Sequence, residues 1–289
     1  MRPLFDHLSA RQANAYQLVL AAAYIPHHLR PNGEYWAIDV PTARRSAAVR
    51  SIALYLAENR PAPAEMHVDG PGQRTFSAAY VTATLIALHW AIRPGMEQKA
   101  FFGVYGADAD KITSGEIYRC ITALLLHADA AHLFSNCLGL ALFGTAVASV
   151  CGWGIGWFII LLGGIGGNYW AAAWYESDHL AVGSSTALFA AVGICAVLTF
   201  RRQFQPGMAR SWRVWSPLAG GLALLGLMGT APGTDLLSHL FGFVVGSSLG
   251  AIYALLCTRP PSLMIQLTAA IAGVLLLIGG WSWGLYTSG

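Results

Sequence analysis

Long uninterrupted apolar blocks decide most of what this chain can fold into. Seven stand out, at 76–92, 117–150, 152–175, 185–200, 214–231, 235–257 and 263–286, and several exceed the roughly 18 residues that cross a bilayer as a helix. Inside lipid every backbone N–H and C=O must be paired within the segment, so such blocks become helices. Composition agrees. Only 11% of the 289 residues are charged and 55% are hydrophobic, whereas an ordinary soluble domain carries about 25% charged residues. A chain of this kind cannot cover a water-facing surface. Its net charge of +3 comes from Arg and Lys clustered beside the apolar blocks, a pattern of membrane topology. No basic stripe with interleaved aromatics is present, so the implied partner is the lipid bilayer and not nucleic acid. The five cysteines form no CxxC pair and read as small buried hydrophobes. The first residues, MRPLFDHLSARQ, lack the pattern of a signal peptide, so insertion is expected to rely on the internal spans.

Residues 1–74 read differently. Helical periodicity at 10–24 is followed by two short strands, 27–29 and 35–40, around a Pro31-Asn32-Gly33 turn, and 42–59 is helical again. This α-β-β-α order predicts a small α+β domain. Pro61, Pro63 and Asp69-Gly70-Pro71-Gly72 then form a linker. Among the apolar blocks, the second is too long for one span and contains His127, Asp129 and His132, so its first part is expected to be a loop or re-entrant segment. The fourth has sixteen residues, which at about 1.5 Å each fall short of a hydrocarbon core of roughly 30 Å. One of its ends should therefore start below the membrane surface. The positive-inside bias places Arg201, Arg202, Arg210, Arg213 and Arg259 in the cytoplasm, which puts the N-terminal domain there too and Glu176 and Asp178 outside.

Polar side chains at membrane depth are costly and need a reason to be there. Ser185 opens the short fourth block after Gly183 and Ser184. A small-residue turn entering a helix leaves backbone N–H groups free to bind an oxyanion, although a serine there also serves as a plain N-cap. His239 lies about one turn into the sixth block and is followed by Gly242, Gly246 and Gly250, a bare face that lets another helix approach closely. With the fourth block as its neighbour, His239 meets Ser185 and accepts its proton; taken alone, it reads sooner as an imidazole bonded to a carbonyl between helices. Thr234 and Asp235 sit where a helix start is expected, so Asp235 is read as a cap and at most an orienting residue. His132 and Asn136, four residues apart, share a helix face and can both donate to an anionic oxygen. A zinc site of His127, His132 and His239 is the competing chemistry, but HExxH is missing and no Glu lies near these residues. Neither a metal nor a cofactor is therefore expected.

This pattern resembles the rhomboid family of intramembrane serine proteases. Tyr118-Arg119 looks like the aromatic-Arg pair of the family's first loop, and His127, His132 and Asn136 match its H-x4-H-x3-N pattern. Gly183-Ser184-Ser185-Thr186 resembles GxSG, and His239, Gly242 and Gly246 resemble HxxGxxxG. The resemblance implies that Ser185 is the nucleophile and His239 the general base, with His132, Asn136 and the Ser185 backbone N–H as the oxyanion hole. His127 is implied as a loop-structuring residue, and Asp235 fits the acidic residue often found a turn before the base. Three positions depart from the pattern. Thr186 replaces the second glycine, Tyr118 stands where Trp is usual, and Phe189 replaces a tyrosine that stacks on the base. The expected fold is an all-α polytopic membrane protein with a rhomboid-like six-helix core at 75–257. A further transmembrane helix at 258–289 and the α+β cytosolic domain with its linker at 1–74 complete it. The expected activity is hydrolysis of peptide bonds in or next to transmembrane helices of protein substrates. The expected location is a plasma membrane, that of a bacterial inner membrane, with the site opening outward. Two alternatives stay open: a catalytically inactive rhomboid-like protein that binds transmembrane helices and controls their trafficking or turnover, and a small-molecule transporter.

Overall fold

The computed structural model describes residues 2–59, 76–92, 96–175, 179–203, 219–220, 223, 235–257 and 261–288. The expected span 214–231 falls almost wholly outside the described residues. The chain divides into two compact units, Met1–Asp69 and Gly70–Gly289.

The first unit contains β1 (Arg2–Leu8), α1 (Ala10–Ala22), β2 (His28–Asn32), β3 (Tyr35–Val40) and α2 (Arg45–Glu58), with a sheet order of β1-β3-β2. Both pairings are antiparallel, and Leu29 faces Ile38 across β2 and β3. Ser9 starts α1 through a capping box: its Oγ accepts from the Gln12 N–H at 3.3 Å, and Gln12 Oε1 accepts from the Ser9 N–H at 3.0 Å. Leu4, Leu8, Tyr16, Leu20, Ile38 and Ile52 meet in its core. Strand β1 was not expected from the sequence. Its alternation is broken by register shifts between Pro3 and Phe5 and between Phe5 and Leu8, which hide the period of two.

The second unit begins with α3 (Ser77–Ala91), whose 15 residues make a shorter helix than the expected span. The segment between the first and second apolar blocks folds into α4 (Met96–Tyr105), β4 (Ala107–Asp108) and α5 (Ala109–Thr113), followed by the short α6 (Arg119–Thr122). Next comes α7 (Ala130–Cys151), continuous through a π turn at Leu140–Gly144 and capped by Asp129, which accepts from the His132 N–H at 2.8 Å. Then follow α8 (Trp153–Trp174), β5 (Leu180–Ala181), α9 (Ser185–Gln203), α10 (Leu236–Leu256) and α11 (Leu263–Ser288). Four described helices, α7, α8, α10 and α11, are long and apolar enough to cross a membrane, and the apolar part of α9, Ser185–Arg201, is shorter.

Helix α9 lies between two glycine faces. A Cβ on Gly246 of α10 would run into the Ala190 carbonyl, and one on Gly164 of α8 would come within 2.8 Å of the Ala187 Cβ. Glycine leaves one side of each of these contacts without a side chain, so the backbones approach closely. As a result Leu188, Phe189, Ala190, Ala191, Val192 and Ile194 are all fully buried. Helix α11 packs on α8 through Gln266, which is itself buried. Its Oε1 accepts from the Gly154 and Ile155 N–H groups at 2.8 and 2.9 Å, and its Nε2 donates to the Cys151 carbonyl at 3.0 Å. One side chain thus satisfies the free N–H groups at the start of α8 and a carbonyl at the end of α7.

Candidate active site

Ser185 is the first residue of α9, and the backbone entering it turns at Gly183, whose φ of +134° strains any other residue. The Gly183 N–H donates to the Ala123 carbonyl at 3.0 Å, which ties this turn to the segment after α6. Starting a helix at Ser185 leaves the first-turn amides without intrahelical acceptors, clustered beside the hydroxyl. From α10, His239 brings Nε2 to within 2.8 Å of Ser185 Oγ, and both residues are buried. The Phe189 ring stacks on the imidazole with centroids 4.6 Å apart and planes 27° apart. His239 Nδ1 has no hydrogen-bond partner among the described residues.

The other expected residues take distinct places. His132 borders the same cavity as Ser185 and His239, of about 240 Å³, and a Cβ on Gly183 would lie 2.7 Å from its Nε2. Asn136 is fully buried, and neither its Oδ1 nor its Nδ2 has a hydrogen-bond partner among the described residues. Its Nδ2 would be 3.5 Å from a Cβ on Gly183, so the missing side chain leaves a path from this amide toward the turn. An unpaired buried amide is costly, and such a group invites a functional explanation. His127 stands behind the cavity wall, where its Nε2 meets Ser184 Oγ at 3.1 Å. Arg119 is away from the cavity. It is buried, with Nε donating to Glu116 at 2.6 Å and Nη1 donating to the Gly103 and Gly106 carbonyls at 3.0 and 3.2 Å, and so holds α4 and β4 to α6.

Asp235 has no hydrogen bond to the His239 ring. It caps α10, accepting from the Ser238 N–H at 2.9 Å and from the Ser238 hydroxyl. It also accepts from Tyr175 Oη at 2.7 Å and faces His179 Nε2 at 2.9 Å. Burial alone would raise its carboxyl, but the bonds from Ser238, then Tyr175 and His179, outweigh this and hold it below the usual carboxylate range. The three residues bonded to Asp235 were not singled out in the sequence. Neither was Asn168, which lines the cavity and donates to the Cys120 carbonyl at 3.1 Å, although a polar residue in an apolar block was signal enough.

Thr186, the departure beside Ser185, has been given room. A Cβ on Gly242 would lie 3.0 Å from its methyl group, and the methyl also occupies the space that a side chain on Gly167 would fill. Two glycines, one on each flanking helix, absorb the extra carbon of Thr186. Among the described residues no group of three or more His, Cys, Asp or Glu is placed to hold a metal ion.

Residues 114–256 match the family model described as "Rhomboid domain". The chain is similar to "Rhomboid protease GluP" of Bacillus subtilis (strain 168), 29% identical over 162 residues, covering 55% of this chain and 32% of that protein. It is also similar to "Putative rhomboid protease YdcA" of the same organism, 28% identical over 135 residues, covering 47% and 66%. A plant protein, "RHOMBOID-like protein 6, mitochondrial" of Arabidopsis thaliana, is 29% identical over 153 residues, covering 50% and 47%. The chain spans less than two thirds of the length of each of these relatives.

Proposed function

Because the chain belongs to the rhomboid family through residues 114–256 and is a multi-pass membrane protein, we propose that it is a serine endopeptidase acting within the membrane through Ser185 and His239. The observation that carries this reading is the 2.8 Å contact between Ser185 Oγ and His239 Nε2, two buried residues that line one cavity. In the proposed reaction His239 Nε2 accepts the serine proton as Oγ bonds to the substrate carbonyl carbon. The carbonyl oxygen becomes an oxyanion facing the Ser185 N–H, His132 and Asn136. Collapse breaks the C–N bond, His239 returns its proton to the departing amine, and an acyl ester remains on Ser185. Water, deprotonated by the same imidazole, then releases the acid and restores the hydroxyl. Since Asp235 is engaged elsewhere, the imidazolium formed in transit leans on the Phe189 ring face, a cation–π contact that needs no hydroxyl.

The substrates on this reading are membrane proteins cleaved in or beside a transmembrane helix that unwinds readily, since a stable helix hides its carbonyls. The N-terminal unit is assigned to the cytosol, and the cavity to the opposite face of a plasma membrane, in line with the arginine bias. The test is cleavage of a model transmembrane substrate by the purified protein in proteoliposomes. Wild type should cut it, and Ser185→Ala and His239→Ala should not; cutting that survives both substitutions overturns the reading. A protein that only binds transmembrane helices would retain the model substrate without cutting it.

A further inference from the structure

Asp235 makes more contacts than a helix cap requires. Capping α10 needs only the Ser238 N–H, yet the same carboxylate takes a hydroxyl from Tyr175, just past α8, and lies 2.9 Å from His179, just before β5. The His179 ring is held against the face of Tyr175, with centroids 3.9 Å apart and planes 20° apart. Its Nε2 faces Asp235 Oδ2 at 2.9 Å, close enough for the two side chains to pair. Both side chains line the cavity that holds Ser185 and His239. A carboxylate this far out of water needs partners to offset its desolvation, and it has found them on three different segments.

From these contacts, and resting on the protease reading above, we propose that His179 is a positioning residue. With Asp235 it clasps the strand that leads to the nucleophile onto the start of the helix that carries the base. The strand side is fixed by the Ala109 N–H, which donates to the His179 carbonyl at 2.9 Å, by the pairing of β5 with β4, and by the bond from Gly183 to Ala123. The helix side runs from Asp235 directly to His239, whose N–H donates to the Asp235 carbonyl at 3.2 Å. Residues 204–235 separate α9 from α10 in sequence, so no short stretch of chain sets the distance between Ser185 and His239. The glycine faces set the spacing of the helix bodies, and the clasp sets it at the end where the two reacting groups meet.

The test uses the full chain in lipid nanodiscs with His179→Ala, His179→Gln, Asp235→Asn and the His179→Ala, Asp235→Asn double variant. Asparagine still caps a helix, and glutamine still offers an N–H, so both conservative variants keep the fold. The first readout is the rate at which a fluorophosphonate probe labels Ser185. His179→Ala should slow it about tenfold, His179→Gln should recover most of the loss, and the double variant should be no slower than the slower single variant. The second readout is hydrogen exchange, which should rise together at 179–184 and at 236–239 in His179→Ala. Additive losses in the double variant, or exchange that rises at 179–184 alone, overturn the clasp. If the wild type takes no label, the protease reading fails, and the exchange result alone decides the clasp.

Discussion

The serine helix α9 and the C-terminal helix α11 are written largely in the same apolar residues, yet they live in opposite surroundings. Nearly every side chain of α9 from Ala187 to Ile194 is buried, whereas only 11% of the most apolar stretch of α11 is buried. Leu263, Ile271, Val274, Leu275 and Ile278 of α11 are all exposed. Helix α11 is the more apolar of the two, yet α9 is the one that is buried. The difference lies on their neighbours: glycines on α8 and α10 let α9 sink between them, while α11 meets α8 through Gln266 at one end and places Gly280 and Gly284 against Ile121, Tyr105 and Tyr118 near the other. The proposed role of Ser185 needs a fixed position, and only the first arrangement supplies one.

That contrast makes predictions of graded size. The largest effect should come from Gly246→Leu, which drives a side chain into the Ala190 backbone and should cost about 3 kcal/mol or more, read as thermal unfolding in detergent. If unfolding shifts no more than for an α11 surface change, close packing is not what holds α9. Next is Gly167→Val, which collides with the Thr186 methyl and should cost about 2 kcal/mol. Adding Thr186→Gly should restore part of that loss, since it removes the colliding methyl and leaves only the Gly242 backbone in the way, and purely additive losses would refute the fit of Thr186 between the two helices. Gln266→Leu leaves two N–H groups and one carbonyl without their partner and should cost about 1–3 kcal/mol, with little change in Ser185 labelling.

Acid should affect the loops around the site and spare α11, which contains no carboxylate side chain. Asp235 and Glu116 both sit below the usual carboxylate range: burial raises each, but hydrogen bonds outweigh it, from Ser238 and others for Asp235 and from Arg119 and Tyr118 for Glu116. A carboxyl depressed in the folded state contributes stability that is complete above its unfolded pKa of about 4 and is lost as pH falls through the folded value. Thermal unfolding followed downward from pH 5 should therefore show a loss that Asp235→Asn reduces. The smallest effect is expected for Leu275→Ala on the exposed face of α11, within about 0.5 kcal/mol.

Much of the site was legible because lipid makes polar residues conspicuous. Ser185, His239, His132 and Asn136 stand out in apolar blocks, and the four-residue spacing of Gly242, Gly246 and Gly250 announces the close face of α10. The matching face of α8 was equally visible in the Gly163-Gly164-Ile165-Gly166-Gly167 run and was missed, as was Asn168 beside it. Strand β1 was hidden by Pro3 and two register shifts. The short helices α4 and α5 fall in a mixed segment without a long apolar period. The His179–Asp235 contact was beyond reach, because it joins residues 56 positions apart, one of them in a loop, and only the folded chain brings them together.

The central claim is that α9 and α10 turn Ser185 into a nucleophile by placing His239 beside it. Its most direct test is to incubate the protein with a fluorophosphonate and locate the adduct by peptide mass spectrometry. The account predicts modification at Ser185 in the wild type and none in His239→Ala. An adduct that persists in His239→Ala, or one on any other serine in place of Ser185, would contradict it.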